Sequence, residues 1–341
     1  MSQTHALPVR RPDDALISCV IPAYNEAAHL ADFLRDLRAM LESFAVHYEI
    51  IVVNDGSADR TEEVMAGLRH EPGLRYLSLS RNFGKEAALS AGIDKARGDA
   101  VILMDGDYQH PLALLPQMVD LWKNGIDMVY GVISDRSGES RLKRWGTDMF
   151  YHLMESGAPI TIPRNAGDFR LMDRKVVHAL RQLPERNRFM KGLYAWVGFS
   201  SIAVPFVPAE RATGVSSFSY RGLSRLALAG VTAFTTLPLR IWSAIGVAIS
   251  IIALLYAFWI AIDTLLFGAD VAGWATLAAG LMFFSGIQLI SIGVLGEYLG
   301  RVYDEVKKRP LYVVARDIDN GPANGKAGDE PHGESDRDTR A

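Results

Sequence analysis

Two long stretches without a charged residue constrain this chain more than any other feature. Ile241 to Ile262 is an uncharged run of 22 residues closed by Asp263, and Val271 to Gly296 is a second, of 26, closed by Glu297. As helices they would reach about 33 and 39 Å, against a hydrocarbon core of about 30 Å. Core helices of soluble proteins seldom pass about 20 residues without a charge, so the runs read as two membrane spans. Asp263 would cost roughly 2.5–3.5 kcal/mol at mid-bilayer, which places it at the far interface. The connector holds Asp270 and no Lys or Arg, whereas Arg221, Arg225 and Arg240 precede the first run and Arg301, Lys307, Lys308 and Arg309 follow the second. The positive-inside bias then puts both termini in the cytoplasm.

The remainder reads as an ordinary water-soluble domain with polar ends. A chain of 341 residues suggests about two domains. The net charge of −3 divides into −4 on the segment from Asp317 to Ala341 and +1 elsewhere, so nothing points to a nucleic-acid binder. That segment, with Gly, Pro and Asp throughout, reads as a disordered acidic tail, and residues 1–14 as a disordered N-terminus without a signal-peptide core. Cys19 is the single cysteine, which excludes a disulfide framework and multi-cysteine metal sites. It sits in an apolar run and reads as a buried, inert thiol.

From Leu16 onward, short apolar runs alternate with helical patterns. Strands are expected at Leu16–Ile21, Glu49–Val53, Leu74–Leu79, Ala100–Met104 and Asp127–Ile133, and helices at Leu30–Phe44, Thr61–Leu68, Glu86–Ala96 and Leu112–Lys123. This alternation predicts an α/β domain with a parallel sheet covered by helices on both faces. Ser134–Arg144 reads as a mobile Arg-rich loop, Trp145–Met154 as helical, Pro159–Ala209 as mixed, and Leu223–Phe234 as an amphipathic helix lying on the membrane.

Ligands of open parallel sheets bind at the carboxyl ends of the strands. The four segments expected there are all polar: Pro22 to Glu26, Asn54 to Ser57, Ser80 to Lys85, and Asp105 to Pro111. Asp105-Gly106-Asp107 is the sharpest. Carboxylates at i and i+2 of an extended segment point the same way and would repel without a cation. Hard oxygen ligands suit Mg²⁺ or Mn²⁺, which bind one or two carboxylates plus substrate phosphates, and Gln109 could add an oxygen. Asp55 could accept from a nucleobase or ribose, or it could cap the next helix, as Ser57 or Asp59 also could. Arg81 and Lys85 are cations placed for a diphosphate, or else for a solvated helix start. There is no P-loop, no G-x-G-x-x-G and no zinc-spaced His pair. His110 reads as structural.

The run from Pro22-Ala23-Tyr24-Asn25-Glu26 through Asp105-Gly106-Asp107-Tyr108-Gln109-His110-Pro111 resembles family-2 glycosyltransferases of the GT-A fold. The resemblance narrows to polyprenyl-phosphate glycosyltransferases, namely dolichol-phosphate mannose synthases and especially bactoprenol glucosyltransferases. It does so through Arg81-Asn82-Phe83-Gly84-Lys85-Glu86, Gly167-Asp168-Phe169-Arg170, the two C-terminal runs, Gly296 to Arg301, and Val306 to Tyr312. It covers about residues 16–316.

The resemblance implies a GT-A catalytic domain over 15–215 and a juxtamembrane helix over 216–237. Two transmembrane helices, about 241–263 and 272–296, would form an anchor within 238–298. A post-membrane segment, 299–316, would precede the tail at 317–341. Pro22, Tyr24, Glu26, Asp55, Arg81, Lys85 and Asp105 would hold the nucleotide-sugar, and Asp105, Asp107 and Gln109 a divalent metal, Mg or Mn. Asp107, Asp168 and Arg170 would serve the reaction. Arg136, Arg141, Arg144 and Arg211 would meet the acceptor phosphate.

The implied activity is inverting transfer from a nucleotide-sugar, UDP-glucose first, to a polyprenyl phosphate at the cytoplasmic face of a bacterial inner membrane, by a homo-oligomer such as a tetramer. UDP-N-acetylhexosamine, UDP-galacturonate and GDP-mannose are alternative donors. Two departures stand out. Gly106 and Tyr108 replace the Ala and Leu common in the Asp-Ala-Asp-Leu-Gln motif, and Ser217 stands where a Lys is usual. A processive synthase is disfavoured, because Arg144-Trp145 lacks the preceding Gln-x-x and only two spans follow. An inactive scaffold of the same fold is the remaining alternative.

Overall fold

The structure is a computed structural model. It describes residues 10–134, 163, 166–186, 188–207 and 273–323, with scattered positions between 242 and 266. The expected segments 145–154 and 223–234, the arginines 136, 141, 144 and 211, and Ser217 lie outside the described residues.

The chain runs β1 (Leu16–Ala23), α1 (Leu30–Phe44), β2 (His47–Asn54), α2 (Thr61–Leu68), β3 (Leu74–Leu79), α3 (Lys85–Lys95) and β4 (Ala100–Leu103). A 3-10 turn (Leu112–Leu114) leads into α4 (Leu115–Lys123) and β5 (Met128–Ile133). Then come β6 (Ala166–Asp173), α5 (Arg174–Gln182), α6 (Met190–Trp196), β7 (Ser201–Phe206), α7 (Trp274–Val306) and β8 (Val314–Asp319). The strands form one eight-stranded sheet in the order β7-β5-β6-β4-β1-β2-β3-β8. β4, β1, β2 and β3 are mutually parallel, while β6 and β8 run against their neighbours.

Apolar residues on both sides of each central strand explain the layers. Ile17, Cys19 and Ile21 of β1 face α1 and α4, where Leu30, Phe33, Leu37 and Leu41 are buried. Val20 faces α3. There Gly92 allows close approach, since a Cβ would lie 2.1 Å from Val20 Cγ1. Cys19 is buried, and burial pushes its thiol far up, as an inert thiol requires.

Strand order reverses between β1 and β4, so their loops part there and open a crevice at the carboxyl edge. Into this edge comes the start of β6. It pairs antiparallel with β4, Ala100 opposite Asp173 and Leu103 opposite Arg170, and the same register carried two residues further sets Asp168 against Asp105.

Parts of both ends expected to be disordered are ordered in the structure. Arg11 is fixed by ion pairs to Asp127 and Asp173, each at 2.8 Å, and its backbone N–H donates to Lys123. In the tail, β8 takes the residues up to Asp319, and Ala323 N–H donates to Tyr48 O. The cause is charge complementarity that composition hides. Asp317 meets Arg75 and Lys95 at 2.8 and 3.1 Å, and Asp319 meets Arg75 and Arg97. Arg97 in turn donates to Glu49, which is fully buried and also accepts from Ser18. The double variant Asp317→Ala/Asp319→Ala is expected to lose about 1–2 kcal/mol, discounting for partial exposure, and to raise amide exchange in β8 and β3. Chemical denaturation and hydrogen exchange would read both effects.

α7 is 33 residues long and continues past Gly296 to Val306 as one helix. Within it, Phe283–Val306 is long and apolar enough to cross a membrane, the one such helix among the described residues. The described positions of the first uncharged run are helical and expose Ile245, Val247, Ile251 and Ile252. The end of α7 and the segment after it are fastened to the elements around the sheet. Glu305 accepts from Arg186 N–H, Tyr312 donates to Asp94, and Val313 O accepts from Ser80 N–H.

Candidate active site

Three loops at the carboxyl edge are tied together by their own side chains. After β1, Asn25 sits at φ 58°, and its side-chain oxygen accepts from Ala58 N–H. In return Ser57 accepts from Asn25 N–H and Asp59 from Ala27 N–H. After β2, Gly56 has φ 64°, and a Cβ there would strike the Arg81 backbone at 2.4 Å, so only glycine allows the β2 and β3 loops to touch. Asp55 exploits that closeness. Its two oxygens accept from Phe83 and Gly84 N–H at 2.7 and 2.9 Å, which fixes the loop leading into α3. Burial raises its pKa against those hydrogen bonds. Asp59, not Asp55, accepts from Thr61 N–H at the start of α2. Tyr24 is exposed above this platform, and the Arg81 guanidinium lies 4.0 Å from the centroid of Phe83.

The acidic loop sits beside it. Lys85, first residue of α3, places Nζ 2.7 Å from Asp105 Oδ1 and 3.2 Å from Asp168 Oδ2. Burial opposes the ammonium, but the two carboxylates hold its pKa well above the ordinary lysine value. Burial likewise opposes charge on Asp168, and Lys85, Lys191 and Arg170 outweigh it, holding that carboxyl below the ordinary range. Asp107 accepts from Gln109 N–H at 3.0 Å. Glu26 joins the cluster: burial raises its pKa and Asp107 and Asp105 push it further, while His29, 2.5 Å away, pulls it down. A Cβ at Gly106 would meet nothing nearer than 3.4 Å, so the alanine of the common motif fits the same backbone.

Burial lowers the pKa of His110, whose Nδ1 accepts from Asp105 N–H and whose ring stacks on Phe169 at 4.8 Å.

No group of three or more His, Cys, Asp or Glu converges as a ready-made cage among the described residues. The carboxylates available are Asp105 and Asp107, both of which act electrostatically on Glu26. Such a pair could serve a cation that draws its other ligands from phosphate oxygens and water.

The geometry therefore offers a platform of exposed Tyr and Arg side chains, an acidic pair and a counter-charged third aspartate, all at the switch point of an α/β sheet. The family model for glycosyl transferase family 2 matches residues 18–181. The SfII prophage-derived bactoprenol glucosyl transferase of Shigella flexneri is 46% identical over 90% of this chain and 99% of its own. The chain belongs to glycosyl transferase family 2.

An uncharacterized glycosyltransferase of Synechocystis is 47% identical, over 88% of this chain and 94% of that one. A solved structure, glucosyl-3-phosphoglycerate synthase from Mycobacterium tuberculosis with Mn²⁺, UDP-glucose and phosphoglyceric acid, is 23% identical with a TM-score of 0.44. It covers 64% of this chain and 79% of that one. The protein is a glycosyltransferase enzyme, and its mostly parallel sheet with helices on both faces is the GT-A α/β fold.

Among the expected site residues, the structure brings Asp105, Lys85 and Asp168 into contact, with Asp107 and Glu26 alongside. It does not bring Arg170 with them. That guanidinium is buried on the Tyr194 ring, 3.4 Å from its centroid, and donates to Gly167 O.

Sequence reasoning passed over Glu86, the residue after Lys85. Burial first, then Asp168, pushes its carboxyl up to about 7. An acid with a raised folded pKa binds its proton more tightly folded than unfolded. Folding stability therefore falls as pH rises from about 4.5 to about 7. Glu86→Gln is expected to stabilise the protein at pH 8 by up to a few kcal/mol, with no gain at pH 4. Thermal unfolding at the two pH values would show the difference.

Proposed function

We propose that this enzyme transfers glucose from UDP-glucose, with inversion, to a polyprenyl phosphate at the cytoplasmic face of a bacterial membrane. The observation that carries the reading is the near full-length identity of 46% with a protein named for bactoprenol glucosyl transfer. The two uncharged runs supply the anchor. Fastening residues 305–323 to the sheet would hold the carboxyl edge near the bilayer surface.

Pro22, Tyr24, Glu26 and Arg81 would receive the nucleotide, and Asp55 would keep their loops in register. Asp105, Asp107 and Gln109 would hold a divalent metal, Mg²⁺ or Mn²⁺, which when bound neutralises the donor diphosphate as it leaves. Arg136, Arg141, Arg144 and Arg211 would meet the acceptor. A phosphate monoester is already anionic near pH 7, its second pKa being about 6, so attack needs no strong base. The residues must instead bring two anions together, and cationic side chains do so by charge neutralisation. Asp168, kept ionised by Lys85, would orient the reacting groups. A homo-oligomer is part of the same proposal.

The full-length protein in detergent, given Mn²⁺, a polyprenyl phosphate and each of UDP-glucose, UDP-N-acetylglucosamine, UDP-galacturonate and GDP-mannose, should make lipid-linked sugar from UDP-glucose fastest. Preference for another donor would correct the sugar. Absence of any product, together with no nucleotide binding, would support the inactive-scaffold alternative.

A further inference from the structure

A cavity of about 100 Å³ lies among β5, β6 and α6. Met128 and Tyr130 of β5, Arg170 of β6, and Lys191 and Tyr194 of α6 help to line it. Two of these side chains are almost wholly buried, yet keep a polar atom that no described residue satisfies. Arg170, 4% exposed, has an unpartnered Nε, and Tyr194, 2% exposed, has an unpartnered hydroxyl. The rest of the guanidinium is thinly served. One terminal nitrogen donates to Gly167 O at 2.7 Å, and the other meets the Met128 sulfur at 3.5 Å.

Neither contact supplies negative charge, and a buried cation without a bonded counter-ion is costly. The nearby acids, Asp168 and Glu86, act on it only at a distance, and Asp168 is bonded to Lys85 instead. The space is several times the roughly 10–15 Å³ that one water needs.

We propose that this cavity is an oxyanion subsite for a phosphate-type anion, in which Arg170 Nε and the Tyr194 hydroxyl donate hydrogen bonds and Lys191 adds a second positive charge. Arginine suits the role because its planar fork matches the oxygens of such an anion. The subsite is separate from the Asp105–Asp107 pair and from the loop arginines expected at the acceptor. It stands whether or not the acceptor is a polyprenyl phosphate.

The test uses the full-length protein in detergent, without nucleotide or metal, titrated with inorganic phosphate at constant ionic strength set by chloride. The unfolding midpoint should rise saturably. Tyr194→Phe should weaken half-saturation by roughly fivefold to tenfold, the loss of one hydrogen bond to a charged group. Arg170→Met should abolish the rise. Arg170→Lys, which keeps the charge and loses Nε, should weaken it by about tenfold and serves if the methionine variant does not fold. A short-chain isoprenyl phosphate that competes with phosphate would identify a lipid headgroup as the occupant, and one that does not would identify the free anion. Either result keeps the subsite. No midpoint rise beyond that of chloride, or an equal rise in wild type, Tyr194→Phe and Arg170→Met, would overturn it.

Discussion

Asp107→Ala is expected to lower turnover by about 10³-fold while leaving stability within about 1 kcal/mol of wild type. The asymmetry follows from the position of the side chain. Asp107 lies in the loop after β4, only partly buried, where its Oδ1 accepts from Gln109 N–H. Nothing in the core depends on that contact. The carboxylate instead adds to a local negative field: burial first, and then Asp107 and Asp105, raise the pKa of Glu26. The proposed cation would lose half of its protein charge with one carboxylate gone, and each tenfold fall in rate corresponds to about 1.4 kcal/mol of lost transition-state stabilisation. Sugar transfer with Mn²⁺ or Mg²⁺, and Mn²⁺ binding followed by electron paramagnetic resonance, should both collapse. Transfer within tenfold of wild type would remove the metal from this pair.

Much of the catalytic sheet was legible because its signal is local. The expected Leu30–Phe44, Thr61–Leu68 and Leu74–Leu79 are the observed α1, α2 and β3, and most other elements up to β5 differ by a residue or two at their ends. One departure is the helix expected at Leu112, which begins as a 3-10 turn and becomes α-helical only at Leu115. Pro116, which lacks an N–H, fits the first turn of α4. What was not legible depends on partners far away in sequence. β6 carries Asp168 and Arg170 into the interior, against the usual inward pattern of a strand, and its pairing with β4 shows only in the register. β8 looks like a disordered acidic tail until Arg75, Lys95 and Arg97 are known to line the edge it joins.

The candidate site divides in the same way. The loops after β1 to β4 could be placed on one edge from strand order alone, and the structure puts them there. The two readings of Asp55 could not be separated in sequence. Its carboxylate spans two loops, binding N–H groups 28 and 29 residues away. Lys85 shows the same limit. A cation at a helix start suggests a diphosphate partner, whereas the described partners are two carboxylates, one in the loop after β4 and one on β6. Lys191 and Tyr194 carried no motif, and only the packing of α6 on β6 brings them beside Arg170.

Lys85→Met should reduce transfer by roughly 10²–10³-fold at neutral pH and recast its pH dependence. The ammonium sits between Asp105 and Asp168, and the β4–β6 register sets these two carboxylates against each other. Without it, burial acts on Asp168 against Lys191 and Arg170 alone, and its pKa should rise. Two consequences can be measured. The acid limb of kcat against pH should shift toward neutrality, so that activity partly recovers as pH rises. The stability of the variant should fall further below wild type at pH 7.5 than at pH 4. A depressed aspartate pKa stabilises the fold above the unfolded value, a raised one destabilises it there, and both effects vanish once the carboxyl is protonated in both states. Lys85→Arg, which retains the charge, should keep the wild-type limb. An unchanged pH profile in Lys85→Met, whatever the loss of rate, would show that the ammonium does not set the charge state of Asp168.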